Sequence, residues 1–253
     1  MKLTTRTAIL WYTTIATATI SALPHHTPRD DFDWAMYHCS PDDPLATLPT
    51  PTYGAENRSW MMCAELTIYA PPSFVYYALI DYNSYHLWNT FVTSVFNLPP
   101  NVTTTPNDVY VGMPMNFVVA GMNGDDDPTV GESQEIVTVL RAPPSPPTGG
   151  DDNDDDDAPH YRYLMNAWRS DSYVEGEFVV AEHPNILTPV EGDEDGEEWT
   201  RYVSYETYYE GAISDYIRSY QPRLQVLFDR QGGELKAYVE GLWQARRRGM
   251  TEE

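Results

Sequence analysis

Positive charge is scarce in this chain. Lys and Arg number 15 against 38 Asp and Glu, a formal net charge of −23. A surface so acidic repels phosphate backbones and anionic membranes, which argues against nucleic acid as a partner. The one cationic cluster, Arg246-Arg247-Arg248, stands at the end of a helical pattern and complements the helix dipole. Past residue 22 no segment has the length and apolarity of a membrane helix. Nucleophile elbows, phosphate loops, dinucleotide fingerprints and zinc spacings are missing as well, so neither a cofactor nor a metal is expected. Covalent chemistry has no support. Cysteine occurs only twice, at Cys39 and Cys63.

What is present starts with an export pattern. Lys2 and Arg6 form a basic n-region, Ala8 to Ile20 is uncharged, and Ser21-Ala22 offers a small-residue cleavage site. The expectation is a signal peptide over 1–22 and a secreted protein. In an oxidising compartment Cys39 and Cys63 can pair, which stabilises the fold by about 3 kcal/mol in the chain-entropy model; two buried free thiols are the other reading. The sequons at Asn57 and Asn101 fit the same compartment as glycosylation sites.

Residues 23–58 are rich in proline, aspartate and histidine and read as an extended arm, with His25 and His26 lacking a third metal ligand. A domain over 59–248 follows. Trp60 to Ala70 is a strand candidate. Pro71-Pro72 then sets a helix start, and Phe74, Val75, Ala78 and Leu79 recur at helical spacing. A second short helix carries Tyr85 and Trp88. Strand candidates succeed one another at 90–96, 109–120, 132–141, 160–168, 173–182 and 199–210. Without helices between them they imply an antiparallel sheet. Acidic insertions at 143–159 and 191–198 read as solvated loops; calcium there would lack EF-hand spacing. After Gly211 a helical stripe runs through Tyr216, Tyr220, Leu224, Leu227, Phe228, Leu235, Tyr238, Val239 and Leu242. Pro222 kinks or restarts it, and Gly232-Gly233 costs it about 1 kcal/mol per residue, a loss that close approach to the sheet or a local break would explain. The fold class is α+β: a curved antiparallel sheet, two short helices and one long C-terminal helix.

Specific residues sharpen this. The run from Ile68-Tyr69-Ala70-Pro71-Pro72 through Ala78-Leu79-Ile80-Asp81 into Tyr85-His86-Leu87-Trp88-Asn89 resembles the opening of the START-like (Bet v 1-like, helix-grip) superfamily, in its polyketide cyclase and dehydrase-like branch. The stretch Tyr205 to Gly211 before the long helix resembles its ending. The resemblance covers about residues 60 to 246 and speaks to fold more than to activity. It implies a sheet wrapped on the helix around a cavity for lipids, sterols or polyketides. Some members only carry such ligands; others cyclise, dehydrate or hydrolyse them.

Alternation proposes the inward face: Met115, Phe117 and Val119; Tyr163 and Met165; Glu177 and Val179; Tyr205 and Tyr209. Tyr216, Tyr220, Leu224 and Phe228 answer from the helix, with Trp88 at one end. Ordinary core packing is the competing reading for the aliphatic positions. The resemblance aligns Glu177 with a position that is often polar and cavity-facing. There it would act as acid or base, helped by Tyr205 or Tyr209. A one-residue slip of register puts Glu177 in solvent instead, and that is the favoured reading. Three functions follow: a binder or carrier of an apolar small molecule, a cofactor-free cyclase or dehydratase-type enzyme, or an acidic interaction protein. The sequence is silent on oligomeric state.

Overall fold

The computed structural model describes residues 32–40, 42–43, 45–125, 129–143, 162–174, 177–193 and 196–251. The expected signal peptide, His25, His26 and the aspartate run 151–157 lie outside them.

Strand β1 (Arg58–Ile68) leads into helix α1 (Pro72–Ile80), which has Pro72 in its first turn, and then a 3-10 segment (Tyr82–Leu87). A proline there loses no hydrogen bond, because first-turn amides have no intrahelical acceptor. Strands β2 (Val92–Phe96), β3 (Pro114–Ala120), β4 (Val130–Arg141) and β5 (Leu164–Ser170) form a meander. A small hairpin, β6 (Tyr173–Val174) with β7 (Glu177–Phe178), precedes β8 (Ala181–Glu191) and β9 (Glu198–Tyr209). Helices α2 (Ala212–Arg218) and α3 (Gln221–Thr251) complete the order. All pairings in the main sheet are antiparallel, in the order β1-β9-β8-β5-β4-β3-β2.

One expected strand is corrected. The run 173–182 is not continuous: it is the hairpin plus the start of β8, which continues to Glu191. Pro184 and Pro189 hid β8 from the pattern, since proline lacks a ladder donor and seldom sits between two strands.

Helix α3 lies along β1 and serves its unpaired edge. Gln221 Nε2 donates to the Met61 carbonyl at 3.0 Å, and the Gln225 amide bonds both the N–H and the C=O of Cys63. Further along, Lys236 Nζ donates to the Thr67 carbonyl, while Glu240 accepts from the Tyr69 amide. An open strand edge is thereby closed by side chains rather than by another strand. Leu224, Leu227, Phe228, Leu235 and Val239 form the buried stripe; Leu242, expected in it, is 44% exposed. Gly232 explains itself: a Cβ there would stand 2.9 Å from Leu66 Cδ2. Gly233 has open space around it. Gly233→Ala should therefore recover helix propensity and stabilise the protein by about 1 kcal/mol. Thermal unfolding checks it, and an unchanged or lowered midpoint would contradict it.

The sheet is buried on both faces. On the helix side the core includes Trp60, Met62, Leu164, Trp168, Leu187, Tyr202 and Tyr208. On the outer side Trp34, Met61, Val139, Tyr163, Met165, Ile186, Val203 and Tyr205 form a second cluster. The segment before β1 covers this outer face. Cys39 is disulfide-bonded to Cys63, Tyr205 donates to the Pro49 carbonyl at 2.7 Å, and Tyr209 donates to the Gly54 carbonyl at 2.8 Å. Glu182, fully buried, accepts from the Thr52 amide and from the hydroxyls of Thr52 and Thr138. The expected extended arm is, over its described residues, a packed layer. Among the described residues no helix is long and apolar enough to cross a membrane.

Candidate functional site

Strand alternation aims Tyr202, Ser204, Glu206 and Tyr208 of β9 at the helix side and Val203, Tyr205, Thr207 and Tyr209 at the outer side. Between the sheet and α3 these inward residues leave a cavity of about 410 Å³. Phe117, Val119 and Trp168 line it from the sheet, Val179 from the link between β7 and β8, and Tyr216, Tyr220, Leu224 and Phe228 from the helical region. Trp168 meets Phe117 edge-on at 5.5 Å. Tyr208 stacks on Trp60 at 4.0 Å, and Trp60 in turn donates from Nε1 to Ser214. The aromatic wall is thus braced from behind.

Polar side chains share this wall with the apolar ones. Glu135 of β4 is 7% exposed, and burial is the first cause lifting its carboxyl well above the carboxylate range. The neighbouring Glu206 charge is the second cause, since two carboxylates in one low-dielectric space resist ionising together. Burial likewise raises Glu206, to about 7, against a hydrogen bond from the Tyr208 hydroxyl that pulls the other way. Tyr208 itself is pushed far up, first by burial and then by both carboxyls. His183, stacked between Trp168 at 4.4 Å and Phe228 at 4.7 Å, shares a 2.8 Å hydrogen bond with Ser204. Burial lowers its pKa to about 3, so it is a neutral imidazole. Glu135, Glu206, Tyr208 and His183 all line the cavity.

The expected site residues divide. Phe117, Val179, Tyr216, Tyr220, Leu224 and Phe228 stand in the cavity wall. Met115 is buried in the same core without lining the cavity, and Trp88 packs against Tyr85 and Tyr238. Tyr163, Met165, Tyr205 and Tyr209 point to the outer face, which corrects their expected inward placement. Glu177 is exposed in β7 and accepts from the Ile213 amide at 3.3 Å, so it is outside the cavity. For Tyr163, Met165, Tyr205 and Tyr209 the error is one residue of register; Glu177 instead leaves the main sheet in the β6–β7 hairpin, and its exposure is the solvent reading favoured from the sequence. Both faces of β9 are equally rich in tyrosine because both are covered, so polarity could not choose between them. A usable signal was nevertheless there: glutamate is disfavoured in strands, and Glu135 and Glu206 each interrupt one.

The strand order, the helical pair between β1 and β2, and the long final helix gripped by the sheet are those of the helix-grip architecture. The chain has a helix-grip fold. It is similar to several solved structures. The protein TTHA0849 from Thermus thermophilus is 20% identical, covering 72% of this chain and 98% of that one, with a TM-score of 0.43. The Zhui aromatase/cyclase from Streptomyces sp. R1128 is 13% identical, covering 74% and 94%, also at 0.43. A START superfamily protein from Mycobacterium smegmatis is 11% identical, covering 73% and 97%, at 0.40. Likenesses this distant carry nothing about activity. No protein-family model matches the chain, and no curated protein matches it in sequence.

Proposed function

We propose that this protein binds an apolar small molecule, a lipid or polyketide-like compound, in the cavity between the sheet and α3, and that it does so as a secreted protein. The observation that carries the binding is the cavity itself: about 410 Å³ of space with a largely aromatic and aliphatic wall. Space of that size and lining is typical of small-molecule sites. The Cys39–Cys63 disulfide supports an oxidising compartment. Asn57 and Asn101 are both exposed, as glycan attachment requires.

One observation favours a second reading, that of a cofactor-free acid/base enzyme. Glu206 titrates near neutrality beside a tyrosine hydroxyl, and a general acid or base works best with a pKa near the working pH. The acid/base role weighed for Glu177 belongs in this reading to Glu206.

Native mass spectrometry of the protein purified from its source tests both. A co-purifying apolar compound bound one to one supports binding. Recovery of that compound with unchanged mass after incubation counts against catalysis. Preparations that carry no ligand and take up none from a lipid extract would count against the cavity as a binding site.

A further inference from the structure

The cavity's charges are of one sign. Three glutamates, Glu132, Glu135 and Glu206, line it, and no lysine or arginine does. Its one histidine is neutral. Glu135 is more than nine-tenths buried, and neither it nor Glu206 has a salt-bridge partner among the described residues. Arg169 is the cation that bears on Glu135, as the weakest of the influences on it. Its guanidinium stands 3.9 Å from Asp171, and its strand neighbour Trp168 takes the cavity side. A buried carboxylate without a counterion is costly, and a protein seldom retains two facing one apolar space without a use for them.

Aromatic rings supply much of the wall, beside aliphatic side chains such as Val92, Val179 and Leu224. Phe91, Phe117, Trp168, Tyr208, Tyr220 and Phe228 all line it. The face of an aromatic ring is negative and attracts cations. Carboxyls and ring faces together favour a ligand with positive charge and apolar bulk. A fatty acid would meet repulsion in the same place, and a neutral lipid would leave the carboxyls unmatched.

We propose that the cavity selects an apolar molecule bearing a protonated amine, with the amine held by the Glu135 and Glu206 carboxyls and the apolar part against the aromatic wall. This rests on the cavity being a binding site, and it goes further by naming the ligand's chemistry. The groups that face the carboxyls from the surrounding elements set its pH dependence. They are Tyr208 on β9, Arg169 on β5 with Asp171 just after it, Ser133 and Glu132 on β4, and His183 on β8. Glu206, raised by burial to about 7, changes charge near neutrality. Affinity for an amine therefore rises as pH climbs from 6 to 8 and Glu206 ionises, while affinity for an alcohol stays flat.

Decylamine, decanol and decanoate share one chain and differ in the head group, so their binding to the intact protein separates the outcomes. Isothermal titration at pH 8 should give decylamine an affinity at least about 10-fold above decanol, equivalent to about 1.4 kcal/mol, with decanoate weakest. The preference should shrink toward pH 6. In Glu206→Gln the amine-to-alcohol ratio should fall to within about twofold of unity, a change in ratio that simple loss of packing would not give. Equal binding of amine and alcohol to the wild type at pH 8 would overturn the amine inference and leave the cavity reading standing. Failure of all three compounds to bind would overturn both. Because the pH profile is read on the wild type, the test survives a variant that folds poorly.

Discussion

Glu206→Gln should melt higher than the wild type at pH 8, and the advantage should vanish as pH falls toward 4.5. The reason is the direction of the Glu206 shift. Its carboxyl is raised from 4.5 to about 7 in the folded protein, chiefly by burial. A raised acid binds its proton more tightly when folded than when unfolded. The folded state is therefore favoured below the unfolded value, and that contribution is lost as pH rises through about 7. Above that pH the wild type holds a charge in an apolar cavity, and glutamine, similar in shape, does not. The full shift corresponds to about 3 kcal/mol; water reaching the half-buried Glu206 through the cavity reduces it to on the order of 2 kcal/mol. For a chain of this size that is a midpoint rise of about 5 °C. Glu135 does not cancel the effect, because burial rather than Glu206 is the first cause of its own shift. Scanning calorimetry of both proteins from pH 4.5 to 8 checks it. A gap that stays constant across the range, or that has the opposite sign, would show that Glu206 is not a buried carboxyl of raised pKa.

Replacing Cys39 and Cys63 together by serine should cost about 3 kcal/mol, chiefly by freeing the unfolded chain. The bond closes a loop of sequence separation 24, and releasing such a loop gives the unfolded chain about that much freedom. Within the fold the consequences are graded. Residues 48–54 keep Tyr205 on the Pro49 carbonyl, Thr207 on the Leu48 carbonyl and Glu182 on Thr52. Residues 34–39 keep Arg201, which donates to the Tyr37 carbonyl at 2.8 Å and to the Ala35 carbonyl, and buried Trp34. Amide exchange should therefore quicken most around Trp34 to Cys39 and least around Thr50. The cavity lies on the opposite face of the sheet, so ligand affinity of the folded variant should change less than twofold. Urea unfolding with exchange mass spectrometry reads both. An unchanged urea midpoint would mean that the segment is held without the disulfide.

Much of the architecture was legible because it depends on local chemistry. Pro71-Pro72 sets a helix start wherever it stands, and the spacing of Leu224, Leu227, Phe228, Leu235 and Val239 buries one stripe of a helix against any apolar partner. The order of most strands and helices followed, and with it the helix grip and the helical side of the cavity wall, from Tyr216 to Phe228. The pairing of Cys39 with Cys63 was among the options the sequence offered. Strand β8 was not legible, since Pro184 and Pro189 argued locally against it and only its pairing with β5 and β9 outweighs them.

The chemistry of the site was decided by tertiary structure alone. Period-two alternation states that Tyr205 and Glu206 face opposite ways; it does not state which of them faces the helix. Polarity normally settles that, because one face of a sheet is wet. Here the segment from Phe32 to Asn57 dries the outer face, and a buried tyrosine on that side reads the same as one on the cavity side. Once that segment takes the outer face, Tyr205 and Tyr209 become its anchors and Glu206 turns inward to join Glu135, which comes from a strand three places away in the sheet. Sequence by itself determined that a long helix would grip a sheet. Which residues meet between them was fixed by a contact between distant parts of the chain, and no local pattern encodes such a contact.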